Sequence, residues 1–150
     1  MARERKKTWE EKVTLVRASY NRSADTPLFA RDFYQHLFFL SPKIKKYFEN
    51  TDFEHQEKAL MAGLKYILDF LDNSNTNARA QVLRLSQSHA KDNMNIYPHD
   101  YYYWIDALVM TVKKHDTQWY NDLAFYWREV VFYPVSFMIS QYFLPAKPEA

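Results

Sequence analysis

The sequence predicts an all-α fold, and three observations support this prediction. Apolar side chains recur every three to four residues along most of the chain, which is the period of an amphipathic helix. Glycine occurs once in 150 residues, so the tight turns of β-hairpins would lack their usual residue. Serine, threonine, aspartate or proline stands before several of the periodic segments, where helices begin. We therefore expect seven to eight helices around one core.

The first two helices have recognisable beginnings. Thr8 and Glu11 have the spacing of a capping box, and they precede the amphipathic run TWEEKVTLVRASY. Residues 21–26 are polar, and Pro27 then stands at a position where helices often begin with proline. The second helix is predicted to place its apolar residues on one face: Phe29, Phe33, Leu37 and Leu40.

A short helix and a long one follow. Ser41 and Pro42 are predicted to end the second helix and to open a third within SPKIKKYF. Thr51 or Asp52 can cap the fourth helix. One face of that helix carries a series with helical spacing: Gln56, Leu60, Gly63, Leu64, Ile67 and Leu71. Because glycine weakens a helix interior, we expect Gly63 to admit close approach of a ligand or another helix.

The second half of the chain predicts three more helices. The tract DNSNTN, at 72–77, has the composition of a loop, and a helix is expected over 78–91. The next helix follows a polar break and has Tyr101, Ile105, Leu108 and Val112 in register. The last is expected from near Thr117 to about Tyr142, with Pro134 either kinking or dividing it.

We expect a single domain over residues 1–150. Its core is predicted at about 8–143, with a basic extension at 1–7 and a C-terminal tail at 144–150. The charge is +2 and both signs are interspersed after residue 7, so we expect no nucleic-acid partner. No run approaches the roughly 18 apolar residues of a membrane span, and no apolar secretory core follows MARERKK. These features predict a soluble, cytoplasmic protein.

The composition also excludes several kinds of site. The chain has no cysteine, which excludes disulfides, thiolate catalysis and cysteine metal sites. A glycine-rich phosphate loop cannot form with one glycine. His89 has no second histidine four residues away, so its spacing does not indicate a zinc site. A serine nucleophile is also unsupported, because the neighbouring Ser88 would point about 100° away from His89 on a helix. From the residues alone, His89 is most simply a partly exposed helical histidine.

The stretch from residue 33 to 60 nevertheless resembles the first half of a bacterial globin. The features that carry the resemblance are the Phe33-Tyr34 pair, Phe38, Pro42, Phe48, Gln56 and Leu60. His89 lies 33 residues beyond Gln56, close to the interval between the distal glutamine and the proximal histidine of that family. The second half continues the resemblance with Asn95-Ile96, Pro98, Tyr101 and the helical segments YYYWIDALVMTVKKHD and LAFYWREVV.

This resemblance implies a globin fold with haem b between the helices that carry Gln56 and His89. His89 would be the fifth ligand of the iron, oriented by the Leu85 carbonyl or the Ser88 hydroxyl. Phe48 would pack flat against the porphyrin. The other expected wall residues of the haem pocket are Leu60, Leu64, Leu85, Ile96, Tyr101 and Trp104.

On the distal side, the resemblance implies that the Tyr34 hydroxyl and the Gln56 amide donate hydrogen bonds to the gas ligand. Such a pair suits tight dioxygen binding and reaction with nitric oxide better than easy delivery. His55 could ligate the iron only if its helix rotated. The remaining histidines, His36, His99 and His115, are expected to be exposed. Candidates for haem propionate contacts are Lys45, Lys46 and Arg84.

The function that the resemblance implies is reversible binding of dioxygen or other diatomic gases. Nitric oxide detoxification is a further activity that would need an external reductase, because no flavin or nicotinamide domain is attached. The last helix has no acidic residue beyond Glu129, so the carboxylate that bonds the proximal histidine in flavohaemoglobin-type domains is missing. The alternatives are a haem-based gas sensor that signals to a partner protein and a haem-free helical interaction module. The oligomeric state is not indicated.

Overall fold

The computed structural model describes residues 5–144, and within that range it contains seven α-helices and no strand. The helices are α1 (Trp9–Ser23), α2 (Phe29–Leu40), α3 (Pro42–Lys46), α4 (Phe53–Asp69), α5 (Thr76–His89), α6 (Asp100–His115) and α7 (Asp122–Ser140). The all-α prediction is therefore confirmed. Most of the expected terminal extension and tail lies outside the described residues. No helix in this range is long and apolar enough to cross a membrane.

Side chains cap the beginnings of four helices. Thr8 Oγ1 accepts a hydrogen bond from the Glu11 amide at 3.2 Å, as the sequence predicts for α1. Of the two candidate caps of α4, Asp52 is the one used. Each such cap satisfies an amide that the helix itself leaves unpaired, which contributes about 1 kcal/mol. The four capping residues are Thr8, Ser41, Asp52 and Asn75.

Several predicted helix boundaries differ from the observed ones, and local hydrogen bonds explain the differences. The expected loop at 72–77 ends early, because the Asn75 side chain caps α5 and the helix begins at Thr76. The last helix begins at Asp122 and not near Thr117. There Asp116 Oδ1 accepts from the Gln118 amide at 2.9 Å, which holds this stretch in a turn. Pro134 lies inside α7 and does not divide it.

The three most extensive helix contacts are α2 with α6, α1 with α7, and α4 with α5. The predicted apolar faces point into these contacts. Large side chains that are fully buried at the centre are Phe29, Phe33, Leu64, Leu108, Leu123 and Trp127. The third pair matters most for a site, because it sets the helix that carries Gln56 beside the helix that ends at His89.

Gly63 lies on the α4 face that meets α5. A Cβ atom added at Gly63 would lie 3.9 Å from Leu85 Cδ1, which is an ordinary van der Waals distance. The expectation that this glycine admits an unusually close approach of another helix is therefore wrong, since α5 leaves room for a methyl group, whereas close approach of a ligand stays a prediction. Its backbone also has no positive φ angle that would require glycine.

A buried network around Asp116 ties α1 to α7 and to the end of α6. Ser19 Oγ donates to Asp116 Oδ2 at 2.6 Å, and Arg22 Nε donates to Oδ1 at 2.6 Å. Trp127 Nε1 donates in turn to Ser19 Oγ at 3.0 Å. Burial alone would raise the pKa of Asp116, but the hydrogen bonds from Arg22, Ser19 and the Gln118 amide outweigh it and the pKa is lowered.

We expect Asp116→Ala to lower the free energy of unfolding by about 3 kcal/mol near neutral pH, because it leaves a buried hydroxyl and a guanidinium without their acceptor. The lowered pKa makes this contribution fully present above the ordinary value of 3.8 and lost as the pH falls through the folded-state value. Urea titrations of both forms at neutral and acidic pH measure the difference. The same change at exposed Asp25 serves as the control, with an expected effect below about 0.5 kcal/mol. A pH-independent difference would contradict the role given to the carboxylate.

Gly63→Ala is expected to raise the free energy of unfolding by roughly 1 kcal/mol, because alanine is the better helix former and the site has space. Chemical denaturation of the haem-free chain measures the change. The reverse substitution at an exposed position of the same helix, Ala59→Gly, should destabilise by a similar amount. Destabilisation by Gly63→Ala would show that α4 and α5 approach more closely than 3.9 Å allows.

Candidate functional site

Tyr34 and Gln56, the two predicted distal residues, meet across the contact between α2 and α4. Gln56 Nε2 donates a hydrogen bond to Tyr34 Oη at 2.9 Å. Tyr34 is only 6% exposed, and its burial raises the pKa of the phenol. The hydroxyl therefore keeps its proton at neutral pH. Because its oxygen already accepts from Gln56, that proton remains available for a further acceptor.

His89 is the last residue of α5, and its ring orientation is held by the preceding turn. Nδ1 lies 2.7 Å from the Leu85 carbonyl oxygen and 2.9 Å from Ser88 Oγ. Ser88 Oγ itself donates to the Leu85 carbonyl at 2.9 Å. Both of the expected orienting groups are thus within hydrogen-bond distance, and the carbonyl requires the proton of the neutral ring to be on Nδ1.

The other nitrogen of His89 is available for a ligand. Burial lowers the pKa of the imidazole, although the bond to the Leu85 carbonyl raises it in part, so the neutral form is favoured. Nε2 then carries the lone pair, and it has no hydrogen-bond partner among residues 5–144. A neutral, partly buried imidazole with one nitrogen tied to a carbonyl is the form in which histidine binds metal ions, haem iron included.

The predicted wall residues are apolar and mostly shielded from solvent. Three are buried in the main core, and the other four pack against it from partly buried positions. Trp104 meets Phe33 edge to face, with ring centroids 5.8 Å apart. The buried ones are Leu60, Leu64 and Tyr101, and the partly buried ones are Phe48, Leu85, Ile96 and Trp104.

An aromatic cluster surrounds the Tyr34 ring on the distal side. The centroid of Phe48 lies 5.5 Å from that of Tyr34 and 5.4 Å from that of Phe38. Phe53 lies 5.8 Å from Tyr34, and the sequence reasoning did not include it in the site. Its position three residues before Gln56 would have placed it on the same helical face. The cluster keeps water from the phenol, which accounts for its raised pKa.

The segment that follows α5 is held close to His89. The Ile96 amide donates to the His89 carbonyl at 2.9 Å. Asn95 has a φ of 54°, a left-handed conformation that asparagine tolerates, and its Oδ1 accepts from Tyr142 Oη at 2.5 Å. The Lys91 amide donates to the Tyr142 carbonyl at 3.0 Å. The chain end after α7 therefore braces the segment that positions Ile96.

Two of the three histidines that were expected to be exposed are not. His36 Nδ1 lies 2.8 Å from Thr111 Oγ1, and His115 Nε2 lies 2.7 Å from the buried carboxylate of Asp32. The expectation is wrong for both because they face the contact between α2 and α6. It is confirmed for His99, which is exposed.

Two further expectations concern exposed residues: His55 as an iron ligand, and three basic residues as contacts of the haem propionates. His55 is exposed while its neighbour Gln56 points to Tyr34, so this arrangement of α4 does not bring His55 to the distal side. The three candidates for propionate contacts are exposed, and their role stays a prediction: Lys45, Lys46 and Arg84.

Comparisons with known proteins agree with this geometry. The family model described as Globin matches residues 31–135. Among solved structures, the chain is similar to protein PA3967 from Pseudomonas aeruginosa PAO1, described as structurally highly homologous to a human hemoglobin. The two share 29% identity with a TM-score of 0.80, over 87% of this chain and 98% of that one. No curated protein matches the chain.

Haem binding is a general property of globins, and the residues here fit that group. Nε2 of His89 has no hydrogen-bond partner among residues 5–144, so it can ligate an iron, and the predicted walls of the pocket are apolar. Seven helices, the pairing of α4 with α5 and the family match over residues 31–135 agree with each other. The chain belongs to the globin family and resembles its bacterial single-domain members.

Proposed function

We propose that this chain holds haem b between α4 and α5 and reversibly binds dioxygen and other diatomic gases. The observation that carries the proposal is the state of His89, a neutral imidazole whose Nδ1 is tied to the Leu85 carbonyl and whose Nε2 is unpartnered within residues 5–144. We further propose that the globin domain spans about residues 8–143. Haem would supply an iron that binds the His89 imidazole and a diatomic gas.

On the proximal side, the chain's own groups would hold the imidazole and tune it. The Leu85 carbonyl accepts from Nδ1 and so fixes which nitrogen carries the proton. A hydrogen bond of this kind also makes the opposite nitrogen more basic and therefore a stronger ligand. The apolar walls would exclude water from the site.

On the distal side, Tyr34 would be the main hydrogen-bond donor to the gas. Its oxygen accepts from Gln56 at 2.9 Å, and a hydroxyl that accepts one hydrogen bond donates a stronger one. The Gln56 amide has a second N–H that can serve as the other donor. If each donor contributes about 1 to 2 kcal/mol, the pair slows gas dissociation by about thirty-fold to nearly a thousand-fold.

Such slow dissociation suits the removal of nitric oxide, which we propose as a second activity with an external reductase. The overall reaction joins nitric oxide, dioxygen and one electron to give nitrate, so the electron must come from another protein. In α7 no acidic residue follows Glu129, so no carboxylate from that part of the helix reaches His89. We therefore rank this activity below gas binding.

Replacing His89 tests the haem proposal directly. We expect the purified chain supplemented with haemin to show the strong visible band of a haem protein, and His89→Ala to lose the spectrum of the imidazole-ligated form. Added imidazole should restore that spectrum, because it supplies the missing ligand. His55→Ala is the matched control and should leave the spectrum unchanged. An unchanged spectrum in His89→Ala would falsify the assignment of the proximal ligand, and a parent chain that binds no haemin would favour the haem-free interaction module.

Tyr34→Phe is expected to accelerate dioxygen dissociation by about ten-fold, because one donor worth about 1 to 2 kcal/mol is lost while the ring is kept. Stopped-flow measurement of the dissociation rate gives the answer. Tyr47→Phe removes the hydroxyl of an exposed tyrosine and should change nothing. A rate that stays the same in Tyr34→Phe would mean that the hydroxyl does not face the ligand.

A further inference from the structure

Helix α2 carries polar side chains on the face opposite Tyr34, and two of them contact α6. Asp32 Oδ2 lies 2.7 Å from His115 Nε2, and His36 Nδ1 lies 2.8 Å from Thr111 Oγ1. Each helix contributes two residues four positions apart, so the two contacts lie one helical turn apart along the crossing. Two attachments of this kind fix both the position of α2 along α6 and its rotation about its own axis.

The partners in these contacts are specific. Asp32 is 2% exposed, and Thr111 is fully buried. The Thr111 hydroxyl donates its proton to the Ala107 carbonyl at 2.7 Å, so its oxygen accepts from His36, whose Nδ1 therefore carries a proton. Lys114 Nζ lies 3.0 Å from the same carboxylate oxygen of Asp32. Because Asp32 and Thr111 are buried, a shift of α2 would leave polar atoms unpaired, which is costly.

Tyr34 leaves the same helix on the other side and meets α4. Gln56 Nε2 donates to Tyr34 Oη at 2.9 Å, so the phenol oxygen lies at the contact between two helices. Asp32 and His36 stand two positions before and two positions after Tyr34, which is about 200° around the helix. Helix α2 is thus held by α6 on one face and meets α4 with the other.

A small rotation of α2 would displace the phenol. Side chains reach about 6 Å from a helix axis, so a rotation of about 10° moves the end of a long side chain by about 1 Å or more. A hydrogen bond from an N–H to an oxygen is limited to about 2.7–3.2 Å, so a displacement of this size breaks or misdirects it. The contacts with α6 therefore control whether Tyr34 Oη stays beside Gln56.

We propose that Asp32 and His36 are positioning residues of the distal side. By fixing the rotation of α2 against α6, they hold the Tyr34 hydroxyl where it donates to the gas. The proposal rests on the proposed function, since it concerns the same donor. Both side chains face α6, so they act through Tyr34 and not by touching the gas. Their loss should therefore matter for the gas only while the Tyr34 hydroxyl is present.

A double-mutant cycle tests this role in the haem-loaded chain, through the dioxygen dissociation rate measured by stopped flow. Asp32→Ala should accelerate dissociation by about five-fold, because a misplaced donor loses most of its hydrogen bond. In the Tyr34→Phe background the same change should alter the rate by less than about 1.5-fold, because no hydroxyl is left to misplace. Lower stability by itself would act in both backgrounds equally. The matched control is Asp106→Ala, which removes a carboxylate of α6 that pairs with Arg128 and should leave the rate unchanged.

His36 provides a second pair of variants. His36→Leu removes the donor to Thr111 and should accelerate dissociation by about two-fold to five-fold. His36→Gln keeps a side-chain N–H for Thr111 and should retain the parent rate. This pair decides the question if Asp32→Ala does not fold.

A measurement on the haem-free chain separates the positioning role from gas binding itself. The side-chain amide of Gln56, observed by heteronuclear NMR, reports on its bond to Tyr34. Asp32→Ala and His36→Leu should shift this signal in the same direction as Tyr34→Phe does, and Asp106→Ala should leave it in place. A parent chain that takes up no haemin would refute the proposed function, and the amide signal would still test the positioning role. Equal acceleration in both backgrounds, or an amide signal that neither variant moves, overturns the proposal.

Discussion

The hydrogen bond between His89 Nδ1 and the Leu85 carbonyl, 2.7 Å long, decides how the proposed proximal ligand is presented. The acceptor is the carbonyl one turn before His89 in α5, and the Ser88 hydroxyl donates to the same oxygen at 2.9 Å. The ring is thereby held in one tautomer and one orientation. Its burial keeps it neutral, and Ile96 is placed beside it because its amide bonds the His89 carbonyl.

The proposed distal side depends on how α2 is held against α6. Asp32, two residues before Tyr34, is buried. Its Oδ2 lies 3.0 Å from Lys114 Nζ and 2.7 Å from His115 Nε2. Burial alone would raise the pKa of this carboxyl, but the bonds from Lys114 and His115 outweigh burial and lower the pKa. The ionised carboxylate is therefore the favoured form. Removing this carboxylate would leave the shielded His115 ring without its partner, which is costly. The position of the Tyr34 phenol is therefore set from the opposite face of its own helix.

Local features of the chain were predictable, and long-range ones were not. The caps at Thr8 and Asp52 and the faces of α2 and α4 follow from spacing alone, because they depend on residues within one or two turns. Before α7, the Asp116 carboxylate holds a turn by accepting from the Gln118 amide, and that carboxylate is itself held by Ser19 and Arg22, which are more than ninety positions away in the sequence. The burial of His36 and His115 has the same cause, since their partners lie on another helix. Within the candidate site, the pair of Tyr34 and Gln56 came from the resemblance, while Phe53 was missed although its spacing pointed to the same face.

Helix α6 presents residues to two different surfaces. Tyr101 and Trp104 belong to the predicted walls of the haem pocket, whereas Tyr102 and Ile105 line a surface groove of about 620 Å³ beside α7. A rigid helix moves as one body, so a shift at one surface displaces the other. Because one helix carries both sets of residues, a substitution at Tyr102 that displaces α6 would also displace Tyr101 and Trp104, so the outer surface of the molecule contributes to the shape of the predicted pocket.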